Sequence, residues 1–260
     1  MMSHFSTAVF TDSSSNNVEY LLATYNENCI MSLHIEETKE EAIKRIRKEI
    51  KDCEIGPYAE WKKNPKKYEA EHNAEHIQWL RNKFPQMLNY SDNDCYKEAI
   101  KYLKPEELDS DGNILSTCNS NAKWDWYSIG GRWDNSIITK NGRLCNSAPV
   151  REIDFDLMEK TARKNLIPFT ESFERKFYNK KYFSLKYPNE EAYIQQNTTF
   201  STYAVIMPNG KWYEPGQMGF WGLSSATPAQ EKEFIENYKD KFIIPAIKRD
   251  LILTIVDCHI

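Results

Sequence analysis

The chain has 260 residues, of which 40% are hydrophobic and 13% aromatic, a composition that excludes general disorder and allows a sizeable core. Its net charge of -4 excludes a global attraction to nucleic acid or to an anionic membrane. No apolar run reaches the roughly 18 residues that span a bilayer, and the N-terminus lacks the pattern of a signal peptide. The six cysteines include no Cys-x-x-Cys pair. We therefore expect free thiols and a cytoplasmic location.

Hydrophobic periodicity and capping residues predict the secondary structure. Apolar, β-branched runs indicate buried strands, and Pro208-Asn209-Gly210 is typical of a hairpin turn. Thr38 and Thr227 are predicted N-caps. In chain order, the expected elements are a strand at 5–11, helices at 38–53, 74–84, 92–103 and 153–165, a hairpin at 200–214, a helix at 227–238 and a strand at 251–258.

Strands at both ends of the chain, with helices between them, predict a single α+β domain over residues 1–260. Its sheet is expected to be mainly antiparallel and to include both terminal strands, with the helices inserted between them. Residues 36–110, which hold three of the predicted helices, are expected to form a helical lobe within that domain.

Three of the seven tryptophans, a Gly-Gly pair, one Asp and one Arg fall within residues 124–133. Aromatics provide flat walls, adjacent glycines let a backbone approach a ligand, and arginine presents a planar fork to a carboxylate or phosphate. We predict a ligand site here, with the glycine pair opening a concavity of backbone N–H groups toward an anion. The expected ligand-binding residues are Trp124, Asp125, Trp126, Tyr127, Gly130, Gly131, Arg132 and Trp133. The alternative is a hairpin core in which Asp125 bonds Arg132 across the ribbon.

A second segment rich in glycine and aromatics covers residues 212–222. Four of the nine glycines lie between residues 210 and 222, so backbone preference contributes little to its structure. We predict a lid or wall that faces the first segment, with Trp221 in the ligand site and Glu214 as an acid or base. The alternative is a tight, aromatic-packed connection.

The last residues of the chain bring an acid, a thiol and an imidazole together. Adjacent side chains of a strand point to opposite faces, so Asp257 and His259 share one side while Cys258 faces the other, which argues against a Cys–His dyad. We predict that Asp257 orients His259 as a general base. If the terminal strands pair, His4 joins them, and His4-Phe5-Ser6 matches half of the paired His-x-Ser/Thr motifs of some phosphoesterases. A purely structural role is the alternative.

Two further patterns are weaker. His72-Asn73-Ala74-Glu75-His76 matches the His-x-x-Glu-His zinc motif, but its polar flanks and the lack of a third ligand argue against a metal site. Residues 175–187 interleave basic and aromatic side chains as nucleic-acid binders do, yet the chain as a whole is acidic. We therefore expect no metal, no cofactor and no nucleic-acid partner.

Five sequence blocks carry a resemblance to a known family. They are Ser-His-Phe-Ser-Thr-Ala-Val at 3–9, Gly-Pro-Tyr-Ala-Glu at 56–60, Trp-Asp-Trp-Tyr-x-x-Gly-Gly-Arg-Trp at 124–133, Gly-Gln-Met-Gly-Phe-Trp-Gly at 216–222 and Leu-Thr-Ile-Val-Asp-Cys-His-Ile at 253–260. The chain resembles a family of uncharacterised proteins from bacteriophages and bacterial genomes. The resemblance implies an accessory protein of a phage or mobile element inside a bacterial host cell. It assigns no catalytic residue.

Two functions from different classes follow. In the first, Arg132 and the glycine backbone hold the anionic group of a small ligand such as a nucleotide, while tryptophans stack on its flat part. The protein would then sequester or hydrolyse a nucleotide signal of host defence. In the second, exposed aromatics are the hot spots of a protein that inhibits a host defence enzyme, as an anti-CRISPR protein does. A concave tryptophan cluster around Arg132 favours the first, and a convex aromatic patch favours the second.

Overall fold

The computed structural model describes residues 4–12, 17–175, 180–218 and 224–260. Contacts between Cα atoms divide these residues into two compact units. The first combines the described residues up to Cys29 with those from Asn121 to Ile260, and the second is Ile30–Ser120. Within the described ranges, no helix is both long and apolar enough to cross a bilayer.

Short strands and helices alternate along the described parts of the chain. The strands are β1 (His4–Thr11), β2 (His34–Glu37), β3 (Ile114–Ser116), β4 (Trp126–Ile129), β5 (Ile137–Ile138), β6 (Leu144–Cys145), β7 (Ser147–Pro149), β8 (Ala204–Ile206), β9 (Trp212–Tyr213) and β10 (Ile252–His259). The helices are α1 (Val18–Ala23), α2 (Lys39–Cys53), α3 (Ala59–Lys63), α4 (Pro65–Glu71), α5 (Ala74–Asn82), α6 (Phe84–Met87), α7 (Asp92–Ile100), α8 (Phe155–Asn165), α9 (Phe169–Arg175), α10 (Lys180–Lys186), α11 (Glu190–Thr198), α12 (Pro228–Tyr238) and α13 (Ile244–Lys248). Single 3-10 turns lie at Pro105–Glu107, Gly131–Trp133 and Val150–Glu152, and π-helical turns at Glu54–Tyr58 and Lys239–Ile243.

The first unit is built on a six-stranded sheet in the order β4-β10-β1-β8-β9, with β7 also paired to β10. Strand β10 is antiparallel to β1, β4 and β7, and β8 is antiparallel to β9, while β1 and β8 are parallel. The predicted α+β class, with a mainly antiparallel sheet that includes both terminal strands, is confirmed. The predicted hairpin is also present as β8 and β9, with Gly210 in the turn at φ +77°.

Strand β10 is almost continuously apolar because both of its faces are covered. Leu253 and Ile255 pack into one core cluster under α12 and α13, together with Phe242. Val256 and Cys258 pack into a second cluster on the opposite face, with Phe5 of β1. A strand buried on both faces has no need of polar alternation, so its sequence reads as an apolar run. Asp257 and His259, near the end of this strand, depart from the apolar pattern.

The second unit contains the helices predicted between residues 38 and 103. Helix α2 begins with a capping box, in which the Thr38 hydroxyl accepts the Glu41 N–H and the Glu41 side chain accepts the Thr38 N–H. Helices α5 and α6 contribute Leu80 and Phe84 to a separate aromatic core that also holds Tyr58. Strands β2 and β3 form a small antiparallel pair beside these helices within the unit.

Candidate functional site

The pairing of β1 with β10 brings the two ends of the chain together. His4 lies directly opposite His259, and His259 lies opposite Trp126 on the neighbouring strand β4. Two residue pairs further along, Ser6 and Ser128 lie on either side of Asp257. Cross-strand neighbours in an antiparallel sheet point to the same face. The expectation that His4 joins the chain end through strand pairing is therefore confirmed.

The alternation predicted for the last residues of β10 is present. Cys258 is fully buried in the core cluster beside Phe5 and Val256, on the face opposite Asp257 and His259. Burial raises the pKa of the Cys258 thiol to about 12. A neutral, buried thiol that points away from both histidines has no part in nucleophilic chemistry with them.

Asp257 holds His4 rather than His259. Its Oδ1 atom accepts from the His4 Nδ1–H at 2.9 Å, and its Oδ2 atom accepts from the backbone N–H of Arg132 at 3.0 Å. The carboxylate is only 2% exposed, so these two donors replace the water it has lost. The prediction that Asp257 orients His259 is wrong, because β10 places both side chains on one face but the cross-strand imidazole of His4 lies nearer.

His259 has its own carboxylate, Asp125. The Nδ1–H of His259 donates to Asp125 Oδ1 at 2.5 Å, and the Asp125 backbone N–H donates to the His259 carbonyl at 2.9 Å. Asp125 immediately precedes β4, and its carbonyl accepts from the Asn28 side chain at 3.1 Å. The alternative in which Asp125 bonds Arg132 is therefore wrong as well. Two separate carboxylate–imidazole pairs stand side by side on this sheet.

The turn at Gly130 and Gly131 fits around the Asp257 side chain. Both glycines have positive φ, +75° and +51°, and a Cβ atom at Gly131 would collide with the Asp257 carboxylate and lie 2.6 Å from Ser128 Oγ. The Gly130 N–H donates to the Ile255 carbonyl at 2.9 Å. The prediction that this glycine pair leaves a backbone concavity open to a ligand needs correction, because the chain's own carboxylate already occupies the turn.

Arg132 and Trp126 are the exposed members of this group. The Trp126 indole is 54% exposed and lies edge-on to both imidazoles, with ring centroids 6.3 Å from His4 and 6.4 Å from His259. The Arg132 side chain is also exposed, and its guanidinium forms no hydrogen bond or ion pair with any part of the chain that the structure describes. We call His4, Asp125, Trp126, Arg132, Asp257 and His259 the sheet-end cluster.

The remaining aromatics of the first segment pack inward. Trp124 is buried and its indole N–H donates to the Leu22 carbonyl at 3.1 Å. Tyr127 packs on the same core cluster as Trp124, and Trp133 packs on the cluster of the opposite face. These three residues position the segment, and Trp126 is left as the aromatic that faces solvent beside the histidines.

The second aromatic segment meets the first through the core. Trp212 lies 4.9 Å from the Tyr25 ring, and the Tyr25 carbonyl accepts the Trp124 N–H at 3.3 Å. Glu214 pairs with Lys123 at 2.7 Å, and its Oε2 atom is buried with no partner among the described residues. Glu214, which was predicted to be an acid or base, is thus paired with a lysine. Trp221 lies outside the described residues.

The zinc motif at residues 72–76 is not a helical ligand pair. His72 follows α4 in an extended conformation, and its Nδ1–H donates to the Tyr68 carbonyl at 2.8 Å. Its ring stacks on Tyr68 at 3.8 Å, and His76 contacts the Tyr68 hydroxyl at 3.2 Å. Throughout the described residues, no group of three or more His, Cys, Asp or Glu side chains is placed to hold a metal ion.

Sequence reasoning missed the most telling feature, the pairing of each histidine with a separate carboxylate. His4 was considered only through strand pairing, and Asp125 was assigned to the ligand rather than to His259. The available signal was the position of Asp125 directly before a strand whose first residue, Trp126, aligns with His259. Reading it required the register of β4 on β10.

Comparison with protein-family models, with curated proteins and with solved structures gives no match to this chain. The ligand-binding role considered below is therefore argued from the residues of the sheet-end cluster.

Proposed function

We propose that this protein binds a small anionic ligand, a nucleotide in its most specific form, at the sheet-end cluster. The observation that carries this proposal is the exposed, unpaired guanidinium of Arg132, a residue whose backbone N–H donates to Asp257, the carboxylate that holds the imidazole of His4. An unpaired arginine has its five N–H donors available, and its planar fork matches the oxygens of a phosphate.

When both imidazoles are protonated, the charges of the neighbouring groups leave the site open to an anion. Asp257 and Asp125 each use one carboxylate oxygen to accept a hydrogen bond from a histidine, and the second oxygen of Asp257 accepts from the Arg132 backbone N–H. Both imidazoles become cationic when protonated, and each is then balanced by its own carboxylate. The Arg132 charge remains unbalanced by any described side chain, so it is the charge that a ligand neutralises.

Trp126 supports a ligand with a flat part. An indole that is 54% exposed and anchored on β4 offers an aromatic face at little cost in side-chain entropy. Base stacking on such an aromatic contributes about 1–3 kcal/mol. A phosphate at Arg132 and a base on Trp126 together describe a nucleotide.

A thermal-shift screen with nucleotides and cyclic oligonucleotides tests this proposal. A true ligand at 100 times its Kd stabilises the folded state by about 2.7 kcal/mol, which appears as a higher Tm. Arg132→Gln should weaken binding by about 10- to 100-fold through loss of charge-assisted hydrogen bonds. Arg143→Gln is the matched control, because Arg143 is also exposed and its guanidinium is unpaired among the described residues. No shift across the panel, or equal losses in both variants, contradicts the proposal.

The resemblance to phage proteins supports a biological setting for this binding. In that setting the protein acts inside the bacterial cytoplasm and removes a nucleotide signal of host defence. Host cells that carry such a signalling system and express the wild-type protein should become sensitive to phage, whereas cells that express Arg132→Gln should stay resistant. Equal sensitivity with both proteins would show that this setting does not depend on the ligand site.

Exposure of β4 supports a second candidate, a protein inhibitor of a host defence enzyme. Trp126 and Ile129 are 54% and 53% exposed, as interface residues of a free protein are. If the protein is such an inhibitor, Trp126→Ala should abolish inhibition of the enzyme. Nucleotides should then raise the Tm of neither the wild-type protein nor any variant. Tyr20, which is also a solvent-exposed aromatic of the first unit, provides the control substitution Tyr20→Ala.

A further inference from the structure

The two histidines of the sheet-end cluster form a matched pair. Their ring centroids are 5.1 Å apart and their planes are nearly perpendicular, at 76°. Each Nδ1 atom faces a carboxylate oxygen, Asp257 for His4 and Asp125 for His259. A carboxylate only accepts, so each Nδ1 carries the proton and each Nε2 is left as the reactive nitrogen. Two oriented imidazoles on adjacent strands therefore offer two proton-transfer sites side by side.

The Nε2 atoms of this pair have no hydrogen-bond partner among the residues that the structure describes. Nε2 of His259 is buried and has no hydrogen bond to any described residue. His259 as a whole is only 8% exposed. Nε2 of His4 also makes no hydrogen bond within the described parts of the chain. Buried polar atoms are rarely left unpaired, and those that are often belong to a reacting or ligand-binding group.

We infer that His4 and His259 act together as general base and general acid in the cleavage of a phosphodiester. This inference rests on the proposed function, because it requires the phosphate to bind at Arg132. The two carboxylates fix the orientation of both rings, as the aspartate of a Ser-His-Asp triad does for its histidine. The substrate class is a nucleotide diester, linear or cyclic.

The step balances with water as the co-reactant. The neutral imidazole takes a proton from water at Nε2 while the water oxygen forms a new bond to phosphorus. The bond between phosphorus and the leaving oxygen breaks, and its electron pair stays on that oxygen. The other imidazole, protonated at Nε2, gives its proton to that oxygen. The products are a phosphomonoester and an alcohol, and the two rings regain their starting protonation by exchange with solvent.

Arg132 has a separate part in this reaction. Charge builds up on the non-bridging oxygens of phosphorus as the new bond forms, and a guanidinium stabilises that charge without moving a proton. Asp257 and Asp125 each accept from an imidazole Nδ1–H, and we assign them as positioning residues. His4 and His259 are the catalytic residues.

The leaving group distinguishes the acid from the base. We would follow hydrolysis of cyclic di-AMP, whose leaving alkoxide needs a proton, and of bis(p-nitrophenyl) phosphate, whose phenolate leaves without one. Substituting the base with Gln should slow both reactions by about 10² to 10⁴-fold. Substituting the acid with Gln should slow cyclic di-AMP hydrolysis by a similar factor and leave the p-nitrophenyl ester within about 10-fold of wild type. His4→Gln and His259→Gln are therefore each measured with both substrates.

His76→Gln is the control, because His76 lies in the second unit with Tyr68 as its partner and no carboxylate. It should change neither rate. Circular dichroism and urea unfolding show whether the two site variants keep the fold. Nucleotide binding without hydrolysis by the wild-type protein overturns this inference and leaves the proposed function in place. Absence of both binding and hydrolysis overturns both.

Discussion

The two faces of the sheet end are built from alternate residues of the same strands, and they do different work. One face carries Tyr127 and Cys258 into a closed apolar core, which Trp124 joins from just before β4. The other carries Trp126, Asp257 and His259, which are paired with polar groups or exposed. Residues that are neighbours in sequence thus belong to different environments. A tryptophan in the 124–133 segment cannot be assigned to binding or to packing without knowing its face.

Trp124 and Trp126 give the largest contrast between the faces. Trp124→Ala removes a buried indole and a hydrogen bond to Leu22, so it should lower the free energy of unfolding by about 3–5 kcal/mol. Trp126→Ala removes an exposed side chain and should change it by about 0.5 kcal/mol or less. Urea denaturation of both variants measures the difference. Equal losses would mean that both faces are structural.

Gly131 sharpens the comparison on the polar face. Gly131→Ala forces a Cβ atom into the Asp257 carboxylate at positive φ, and should lower the free energy of unfolding by roughly 1–3 kcal/mol. Gly142→Ala is the control, because Gly142 has φ +82° and no atom within 4 Å of the added Cβ. It should show only the backbone strain, about 1 kcal/mol. A Gly131→Ala variant as stable as Gly142→Ala would show that the turn does not enclose Asp257 tightly.

Much of the fold was readable from residue patterns. The apolar runs of β1 and β10, the capping threonines of α2 and α12, and the glycine turn between β8 and β9 each have a local cause, so their positions follow from the chain itself. The opposite facing of Cys258 and Asp257 followed from strand alternation. These predictions depend on neighbours in sequence, which is why they were confirmed.

The partners inside the site were not readable in this way. Asp125 and His259 are far apart in the chain, and they meet because β4 pairs with β10 in one register. A shift by one residue would turn Trp126 to the other face. The match of Asp257 to His4 likewise depends on the β1 register. Spacing along the sequence does not encode either register, so Asp257 was given the wrong histidine.

Burial of the Cys258 thiol predicts a smaller effect, a dependence of the free energy of unfolding on pH. Its pKa is raised to about 12 from 9.0, so the unfolded chain loses the thiol proton first as pH rises. The stability that the protonated thiol contributes to the folded state is therefore complete below about pH 9 and is lost as pH approaches 12. The free energy of unfolding should therefore fall as pH rises from about 9 toward 12. Cys258→Ala should flatten this slope in part, because burial also raises the pKa of Tyr203, to about 12, and that of Tyr238. An unchanged slope would contradict burial of the thiol.

Imidazole resonances in NMR spectra test most directly whether the sheet end binds an anion. The chain has five histidines, and His34, His72 and His76, which lie in the second unit, serve as internal controls. Titration with inorganic phosphate, at constant pH and ionic strength against chloride, should shift His4 and His259 along a saturable curve that Arg132→Gln abolishes. Phosphate that moves all five histidines alike, or leaves His4 and His259 unmoved, would contradict an anion site at the meeting of the two chain ends.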